Sequence, residues 1–320
     1  SQAQVGFVQV AGRFWFGWGR AAGMGAPGLI GVVTLSPAVD VTYHLASAHL
    51  GEVNRVETVT KAPGGKGLNV ARVLKKLGSS AVLHAPLGGA SGLWIKDQLA
   101  TLEVELIATN IAAETRSAVA IVAQETSVFN EPASAITETE LVDLESTLAS
   151  YEFVVVTGSV PTSVSVERFG KLLESIKQKS KLLLVDTTGD YLIAASKHAD
   201  YLKPNLEELL AATGLPREQA IAKLQEHGAR VILSLGDQGA LLHSDKRLGF
   251  RAPSQQGNPT GAGDALTAGF VSVLAGNEHA SELDAFRFGC ALSAASVRSP
   301  IAGDFSEQAL TELLTEIEEA

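Results

Sequence analysis

The regular alternation of apolar strands and amphipathic helices after residue 150 constrains the fold more than any other feature of the sequence. Nearly continuous apolar runs at 153–156 and 182–185 are typical of strands buried on both faces. Between them, apolar residues recur at helical spacing over 166–176. Repeated strand–helix units predict a mostly parallel sheet with helices on both faces. The pattern also predicts strands at 200–203, 231–235 and 240–243, and helices at 206–212, 217–227, 261–275, 284–297 and 307–319.

A different pattern follows a first apolar strand at 29–35. Asp40, Thr42 and His44 alternate with apolar residues over 39–45, which predicts a strand with one polar face. Such a strand does not suit a fully buried sheet. We therefore predict an α/β protein in which a small second sheet, formed by about 38–62 and 112–132, covers the larger one. The sequence gives no sign of repeats or linkers, so 24–320 is predicted to be one domain.

Composition and charge argue against several classes of function. The 320 residues are 46% hydrophobic and 19% charged, which is typical of a globular protein. Acidic residues outnumber basic ones by 35 to 25, and the net charge of −10 argues against nucleic-acid binding. A single cysteine, Cys290, excludes an internal disulfide and a cysteine-based zinc site. Because no uncharged apolar run reaches the ~18 residues of a membrane helix, we expect a cytoplasmic protein without a membrane partner.

The first 23 residues differ from the rest of the chain. They hold Trp15 and Trp18 among scattered glycine and arginine, and they are a poor match to a secretory signal. The only methionine is Met24, just before the first strand pattern. We predict that Met24 is the natural start and that 1–23 is a non-native or disordered extension. The alternative is an interaction arm that buries its aromatic residues.

The sequence TGAGD at 260–264 opens a predicted helix. Small residues leave backbone N–H groups accessible and a helix start carries partial positive charge, so the segment is typical of an anion site. The carboxylate of Asp264 could take the proton from a hydroxyl that attacks a phosphoryl group. The alternative is that Asp264 only complements the partial charge of the helix N-terminus.

A second glycine-rich turn, GGKGLN at 64–69, also leads into a helix. It is not a P-loop, because the G-x-x-x-x-G-K-[ST] spacing is absent. Glycine allows a ligand to approach the backbone closely, while Lys66 offers charge and Asn69 offers an amide. The alternative is a tight turn with a solvated lysine.

Three further features suit a nucleotide or a phosphate. In KPNLEE at 203–208, Asn205 and Glu208 stand three apart at a helix start, where they could hold a hydrated Mg²⁺ near phosphates. The same pair is typical of a capping box, and both interpretations can be true. SLGDQG at 234–239 is either an ordinary turn or the floor of a nucleotide site. Arg116 is suited to bidentate phosphate contact, or it is a surface charge.

The motifs together resemble a known family. They occur in the order SPAVD (36–40), GGKGLNVAR (64–72), TR (115–116), FNEP (129–132), GSVP (158–161), KPNLEEL (203–209), SLGDQG (234–239) and TGAGD (260–264). From about residue 28 onward the chain resembles the PfkB (ribokinase-like) carbohydrate kinases, in particular the 1-phosphofructokinase and tagatose-6-phosphate kinase branch. The resemblance implies a ribokinase-like three-layer α/β/α fold with a mostly parallel central sheet, and it makes the small sheet a lid.

The resemblance implies an ATP-dependent, Mg²⁺-requiring kinase for a sugar that already bears a phosphate. The 1-phosphofructokinase type, which converts fructose 1-phosphate to fructose 1,6-bisphosphate, is favoured. Tagatose-6-phosphate kinase and 6-phosphofructokinase are alternatives. FNEP resembles the fructose-1-phosphate type, whereas NP at 258–259, directly before TGAGD, resembles the tagatose type. Two further alternatives are a kinase for an unphosphorylated sugar and a non-catalytic sugar-phosphate sensor. Retention of Gly261, Gly263 and Asp264 disfavours the sensor.

The resemblance also implies roles for residues at the matching positions. Asp264 would be the catalytic base, and Gly261, Ala262 and Gly263 would hold the transferred phosphoryl group. Lys66 and Arg116 would meet the phosphate that the substrate already has. The rest of the substrate side would comprise Asp40, Gly64, Gly65, Asn69 and Asn130. The nucleotide side would comprise Lys203, Asn205, Ser234, Gly236 and Gly239, with Glu208 acting through the Mg²⁺ shell.

Several positions depart from the family pattern. Ser36 stands in place of the usual asparagine, and Ala133-Ser134 in place of Gly-Pro after FNEP. These departures bear on the contacts behind Asp40 and on the choice of substrate. Because the lid commonly pairs two subunits in this family, the resemblance implies a homodimer. Asp40 would then face the sugar, and the other face of the strand would meet the partner through Val39, Val41, Tyr43 and Leu45.

Overall fold

The computed structural model describes residues 28–148 and 151–319, and the predictions for 1–23 and for Met24 lie outside them. The strands are β1 (Ile30–Val33), β2 (Ala38–His44), β3 (Thr58–Gly64), β4 (Ala81–Leu87), β5 (Leu106–Asn110), β6 (Ser117–Val122), β7 (Thr126–Asn130), β8 (Phe153–Thr157), β9 (Leu182–Asp186), β10 (Tyr201–Leu202), β11 (Arg230–Ser234), β12 (Ala240–His243), β13 (Arg247–Arg251) and β14 (Glu318–Glu319). The helices are α1 (Lys66–Lys76), α2 (Gly89–Thr101), α3 (Glu138–Ser146), α4 (Val166–Lys177), α5 (Gly189–Ala195), α6 (Leu206–Thr213), α7 (Arg217–Gln225), α8 (Ala262–Gly276), α9 (Glu282–Val297) and α10 (Glu307–Glu316).

A ten-stranded sheet forms the centre of the fold, in the order β14-β13-β12-β11-β10-β9-β8-β1-β4-β5. Neighbouring strands run parallel from β5 to β11, and only β12, β13 and β14 are antiparallel additions at one edge. The apolar runs predicted at 153–156 and 182–185 are the adjacent parallel strands β8 and β9. The predicted mostly parallel sheet is therefore confirmed.

Helices cover both faces of this sheet. Because successive side chains of a strand point to opposite faces, Val32 of β1 packs with one helical layer and Val33 with the other. The first layer contains α1, α2, α8, α9 and α10, and the second contains α3 to α7. These two cores confirm the predicted three-layer α/β/α arrangement.

Local sequence explains where helices begin and which side they bury. At the start of α4 the Ser165 side chain accepts a hydrogen bond from the Arg168 amide, and the predicted apolar stripe of this helix is buried.

The prediction for 307–319 is wrong at its end, because α10 stops at Glu316 and β14 then pairs with β13. Of the helices in 28–148 and 151–319, none combines the length and the apolar character that crossing a bilayer requires.

A separate four-stranded sheet, in the order β3-β2-β6-β7, confirms the predicted lid. Strand β2 pairs antiparallel with β3 and parallel with β6. Asp40, Ala118 and Asn130 are aligned across β2, β6 and β7, so they share one face of the lid.

The opposite face of the lid is only partly available to a partner. Val39, Val41 and Leu45 are 6%, 7% and 8% exposed within the single chain. The prediction that these three side chains face a second subunit is wrong: Val39 and Val41 pack into the core that α1 and α2 share. On the two edge strands, Val59 of β3 is 50% exposed and Phe129 of β7 is 52% exposed. The exposed apolar residues of this face therefore lie on the edge strands of the lid.

Candidate active site

The carboxyl ends of the central strands and the N-terminal ends of α1 and α8 meet at one edge of the sheet. Asn69 of α1 donates from Nδ2 to Oδ2 of Asp264 on α8 over 2.8 Å. Lys66, the first residue of α1, donates to Oδ1 of Asp186 at the end of β9 over 2.7 Å. Open α/β sheets bind ligands at this edge. The fold thus brings three predicted site residues to the place where a ligand is expected.

Asp264 is a buried carboxylate in the first turn of α8, only 5% exposed. Burial, and after it the negative charge of Asp186, raises the pKa of Asp264 to about 7. The Asn69 hydrogen bond and the charges of Lys66 and Lys203 act in the opposite direction. A carboxylate with this pKa can accept a proton near neutral pH, as a general base must. Asn69 occupies Oδ2 of Asp264, so Oδ1 is the oxygen placed to do so.

The turn before α8 offers backbone amides to an anion. Gly261 has φ 84°, and a Cβ there would lie 3.0 Å from the Gly303 nitrogen, so the turn requires glycine. The Ala262 amide donates to the Pro259 carbonyl over 3.1 Å and is already occupied. The amides of Gly261 and Gly263 have no acceptor within the described part of the chain. The predicted anion site at 261–263 therefore rests on two of its three amides.

Lys203 brings positive charge to this turn. A Cβ built on Gly263 would lie 3.0 Å from Lys203 Nζ, so the ammonium group rests directly on the glycine. The Lys203 side chain is 4% exposed and pairs with Oδ2 of Asp186 at 2.9 Å. The ammonium group and the neighbouring amides together suit the oxygens of a phosphoryl group.

Asp186 connects these groups, and it was not among the residues predicted from the sequence. Its side chain is 0% exposed and lies between Lys203 and Lys66. Burial alone would raise the pKa of Asp186, but the charges of Lys203 and Lys66 hold it below its ordinary value. The sequence does carry a signal for this residue, because the aspartate directly follows an apolar strand. In a parallel sheet that position opens onto the ligand edge.

Lys66 and Arg116 have different partners in this structure. Nζ of Lys66 contacts Oε1 of Glu208 at 3.2 Å as well as Asp186, whereas Arg116 donates to the Ser36 hydroxyl. A shared contact of the two residues with the phosphate of the substrate stays a prediction.

The capping box considered for Asn205 and Glu208 is present. The Asn205 side chain accepts from the Glu208 amide at 2.7 Å, and Oε2 of Glu208 accepts from the Asn205 amide at 2.9 Å. The other carboxylate oxygen of Glu208 faces Lys66. Asn205 also forms an isolated parallel bridge with Ser234. Lys203, Asn205 and Ser234, all predicted for the nucleotide side, are thus brought together.

The turn after β11 contains a 3₁₀ segment, Gly236–Gln238. Gly239 has φ 89°, and a Cβ there would overlap the carbonyl oxygen of Phe250, so packing against β13 requires glycine. Gly236 has φ 62° and open space where a side chain would project. Of the two glycines, Gly236 is the one with room for a ligand beside it.

The other side of the edge lies at the base of the lid. A Cβ on Gly64 would overlap the carboxyl group of Asp40, so that carboxyl group rests on the glycine backbone. Burial raises the pKa of Asp40 to about 6, against the charges of Arg116 and Arg72. Gly65, with φ 91°, carries the chain from the lid into α1. The residues predicted for the substrate side around Asp40 are therefore neighbours.

Two asparagines complete this side. Oδ1 of Asn69 is buried and has no hydrogen-bond partner among the residues described. A buried acceptor without a donor is costly, so a ligand hydroxyl that donates to it would be stabilised. Asn130 is exposed on the lid face that also carries Asp40.

Comparison with known proteins identifies a family and several similar structures. The profile of the pfkB family carbohydrate kinases matches residues 33–309. Phosphofructokinase-2 from Escherichia coli in complex with potassium is similar at 27% identity and a TM-score of 0.83, over 90% of this chain and 98% of that chain. Its complex with fructose-6-phosphate is similar at 28% identity and a TM-score of 0.81, over 90% and 98% of the two chains. A possible 1-phosphofructokinase from Thermotoga maritima shares the fold at 22% identity and a TM-score of 0.80, over 91% and 99%.

The family profile spans most of the chain, and the observed three layers with a lid are the ribokinase-like fold that the motifs predicted. The predictions of the family and of an ATP-dependent sugar kinase are confirmed at this level. The chain therefore belongs to the pfkB family of carbohydrate kinases.

Proposed function

We propose that the protein transfers the γ-phosphoryl group of ATP to fructose 1-phosphate and so forms fructose 1,6-bisphosphate. The observation that carries the phosphoryl transfer is the position of Asp264. This buried carboxylate, whose pKa is raised to about 7, lies beside the amides of Gly261 and Gly263 and the ammonium group of Lys203. Arg116, close enough to Asp40 to influence its pKa, supports a substrate that already carries a phosphate.

In the proposed reaction Asp264 takes the proton from the attacking sugar hydroxyl at its Oδ1 atom. Asn69 holds Oδ2 of the same carboxylate, and its own buried Oδ1 is available to accept a hydrogen bond from a second hydroxyl of the sugar. As the hydroxyl oxygen forms its bond to the γ-phosphorus, the bond from that phosphorus to the oxygen of ADP breaks. The amides of Gly261 and Gly263 and the Lys203 ammonium group stabilise the charge on the moving phosphoryl oxygens.

The residues of this edge fit a magnesium-bound nucleotide. Both oxygens of Asp186 pair with lysines, so Glu208 is the carboxylate left to approach a hydrated ion. Mg²⁺ commonly keeps several waters and uses one or two carboxylates together with phosphates, and Glu208 would hold it through its water shell. When bound, the ion neutralises phosphate charge. The nucleotide itself would be lined by Lys203, Asn205, Ser234, Gly236 and Gly239.

The proposed substrate side is built around Asp40 and Arg116. Asp40 would accept hydrogen bonds from sugar hydroxyls, and Arg116 would contact the phosphate that the sugar already bears. Lys66 contacts Asp186 and Glu208, so we assign it to the reaction centre. Gly64, Gly65, Asn69 and Asn130 complete the set.

Initial rates with ATP and Mg²⁺ test the substrate directly. We expect the highest kcat/KM with fructose 1-phosphate, compared with fructose 6-phosphate, tagatose 6-phosphate and fructose. Arg116→Ala is expected to raise the KM for the preferred sugar phosphate at least ~10-fold, the loss of about one charge-assisted hydrogen bond, with the KM for ATP unchanged. A rise of less than several-fold would refute the phosphate contact. Absence of turnover with all three sugar phosphates would favour a non-catalytic sensor.

The proposal includes a homodimer formed through the edge strands β3 and β7 of the lid. Val59 and Phe129 lie on the same face of the sheet as Val41 and are half exposed. Sedimentation of the full chain gives its molar mass and so tests the dimer.

The cytoplasmic location stays a prediction. Deletion of residues 1–23 tests the extension, for which we expect unchanged activity and melting temperature.

A further inference from the structure

Two serines hold Arg116 at the base of the lid. Ser36, in the segment between β1 and β2, accepts a hydrogen bond at its Oγ from Nε of Arg116 over 2.8 Å. Ser134, in the segment after β7, accepts at its Oγ from the Arg116 amide over 3.0 Å and donates to the Glu114 carbonyl over 2.8 Å. One serine therefore fixes the side chain of Arg116 and the other fixes its backbone. Both stand at positions where the sequence departs from the family pattern.

The contact at Nε decides which part of the guanidinium group remains available. A guanidinium group binds a phosphate bidentately through two adjacent nitrogens. With Nε given to Ser36, the end of the group formed by Nη1 and Nη2 is left for a ligand. Nη1 reaches only the Glu131 carbonyl, at a long 3.3 Å. Nη2 has no acceptor among the described residues of the chain.

Burial makes this arrangement rigid. Ser36 is 2% exposed, and its hydroxyl group cannot readily turn to water in place of Arg116. The Asp40 carboxylate attracts the guanidinium group, as the effect of Arg116 on the pKa of Asp40 shows. Without Ser36 the Arg116 side chain would be drawn towards Asp40 and would mask both groups. The serine thus keeps the hydroxyl-binding carboxylate and the phosphate-binding guanidinium group apart.

We propose that Ser36 and Ser134 are positioning residues that set the preference of this enzyme for a phosphorylated sugar over an unphosphorylated one. They do so by presenting the Nη1 and Nη2 end of Arg116 to the phosphate of the substrate. The proposal rests on the proposed contact between Arg116 and that phosphate. It adds that the contact depends on two serines that do not touch the substrate.

The test compares Ser36→Ala and Ser134→Ala with Arg116→Ala in the full chain. We expect each serine variant to raise the KM for fructose 1-phosphate about 5- to 10-fold, which is within the usual net contribution of one intramolecular hydrogen bond. The kcat and the KM for ATP stay within about twofold, since neither serine touches the reaction centre. The inhibition constant of inorganic phosphate, measured against the sugar phosphate, rises in parallel. Ser134→Thr keeps the hydroxyl group and is expected to leave the KM for fructose 1-phosphate close to that of the original chain. Ser127→Ala on β7 is the matched control.

The outcomes separate this inference from the proposed function. If Arg116→Ala raises the KM while both serine variants leave it unchanged, the inference is wrong and the phosphate contact stands. If the serine variants lower kcat as much as they raise KM, their role is structural and the inference is also wrong. If Arg116→Ala leaves the KM unchanged, the phosphate contact fails and the inference fails with it.

Discussion

Replacing Asp186 by asparagine tests how strongly one buried carboxylate stabilises the reaction centre. The Asp186 side chain is 0% exposed and contacts two ammonium groups, at 2.7 and 2.9 Å. The two lysines, Lys66 and Lys203, do not depend equally on Asp186 for a charge partner. Lys66 is 32% exposed and keeps Glu208 at 3.2 Å, whereas Lys203 is only 4% exposed. Most of the cost of Asp186→Asn therefore falls on Lys203, a buried charge that would lose its ion-pair partner and keep only the weaker attraction of Asp264.

Removing one partner of a buried ion pair costs about 3–5 kcal/mol. We expect about 3 kcal/mol for Asp186→Asn, the lower end, because water and Glu208 still solvate Lys66. With an unfolding entropy of about 2.1 cal/mol/K per residue, a loss of this size lowers the melting temperature by roughly 5 °C. The folded state holds the pKa of Asp186 below its ordinary value. Its stabilisation is thus present above that ordinary pKa and is lost as the pH falls through the lower folded value.

Urea unfolding followed by circular dichroism at pH 7 measures this loss. Asp190→Asn, at an exposed aspartate of α5, is the matched control and is expected to change the free energy of unfolding by less than about 0.5 kcal/mol. Adding Lys203→Met to Asp186→Asn removes the ammonium group that has lost its ion-pair partner and should recover part of the stability. A loss below about 1 kcal/mol for Asp186→Asn would show that the buried network does not stabilise the fold as reasoned.

The remaining predictions concern Asp264 and Gly64. Because the base must be ionised and the pKa of Asp264 is raised to about 7, kcat/KM should fall about tenfold per pH unit below that value; an acidic limb near pH 4 would contradict the assignment. Asp264→Asn should lower kcat about 10³-fold while the free energy of unfolding does not fall, since a buried charge near Asp186 is removed; an active variant would refute the role. Gly64→Ala should raise the KM for the sugar at least ~10-fold and leave the KM for ATP unchanged, because its Cβ would displace the Asp40 carboxyl group. Gly170→Ala on α4 is the control, because its nearest neighbour would lie at an ordinary 3.7 Å.

The sequence predicted the elements whose signals are local. The apolar stripe of α4, the glycine-rich starts of α1 and α8 and the alternation in β2 each depend on residues within one or two turns of chain. The carboxylate of Asp264 could be assigned a role for the same reason, since its anion site lies in the preceding residues. The predicted end of α10 was wrong because β14 forms only by pairing with β13, and no local sequence pattern indicates that contact.

The sequence did not predict where the long side chains point or which residues they contact. Lys66 follows a glycine-rich turn, and the local sequence does not indicate which residues its ammonium group contacts. In the folded chain it contacts Asp186 and Glu208, which are 120 and 142 residues away. Asp186 follows the apolar run at 182–185 and was not assigned a role from the sequence. Its importance arises from the two lysines that the parallel sheet and α1 bring to it, because burial makes a charge either costly or tightly paired.

The sequence by itself determined the layered α/β fold, because strand and helix periods are encoded by neighbouring residues. The order of its motifs indicated the family by resemblance and predicted a role for the carboxylate of Asp264. Only the tertiary structure decided which charges meet. It placed Lys66 against Asp186 and Glu208, joined Arg116 to Ser36 and Ser134 by hydrogen bonds, and covered Val39 and Val41 with helices of the same chain. Electrostatic and packing energies depend on distances across the folded molecule, and those distances exist only once the sheet has assembled.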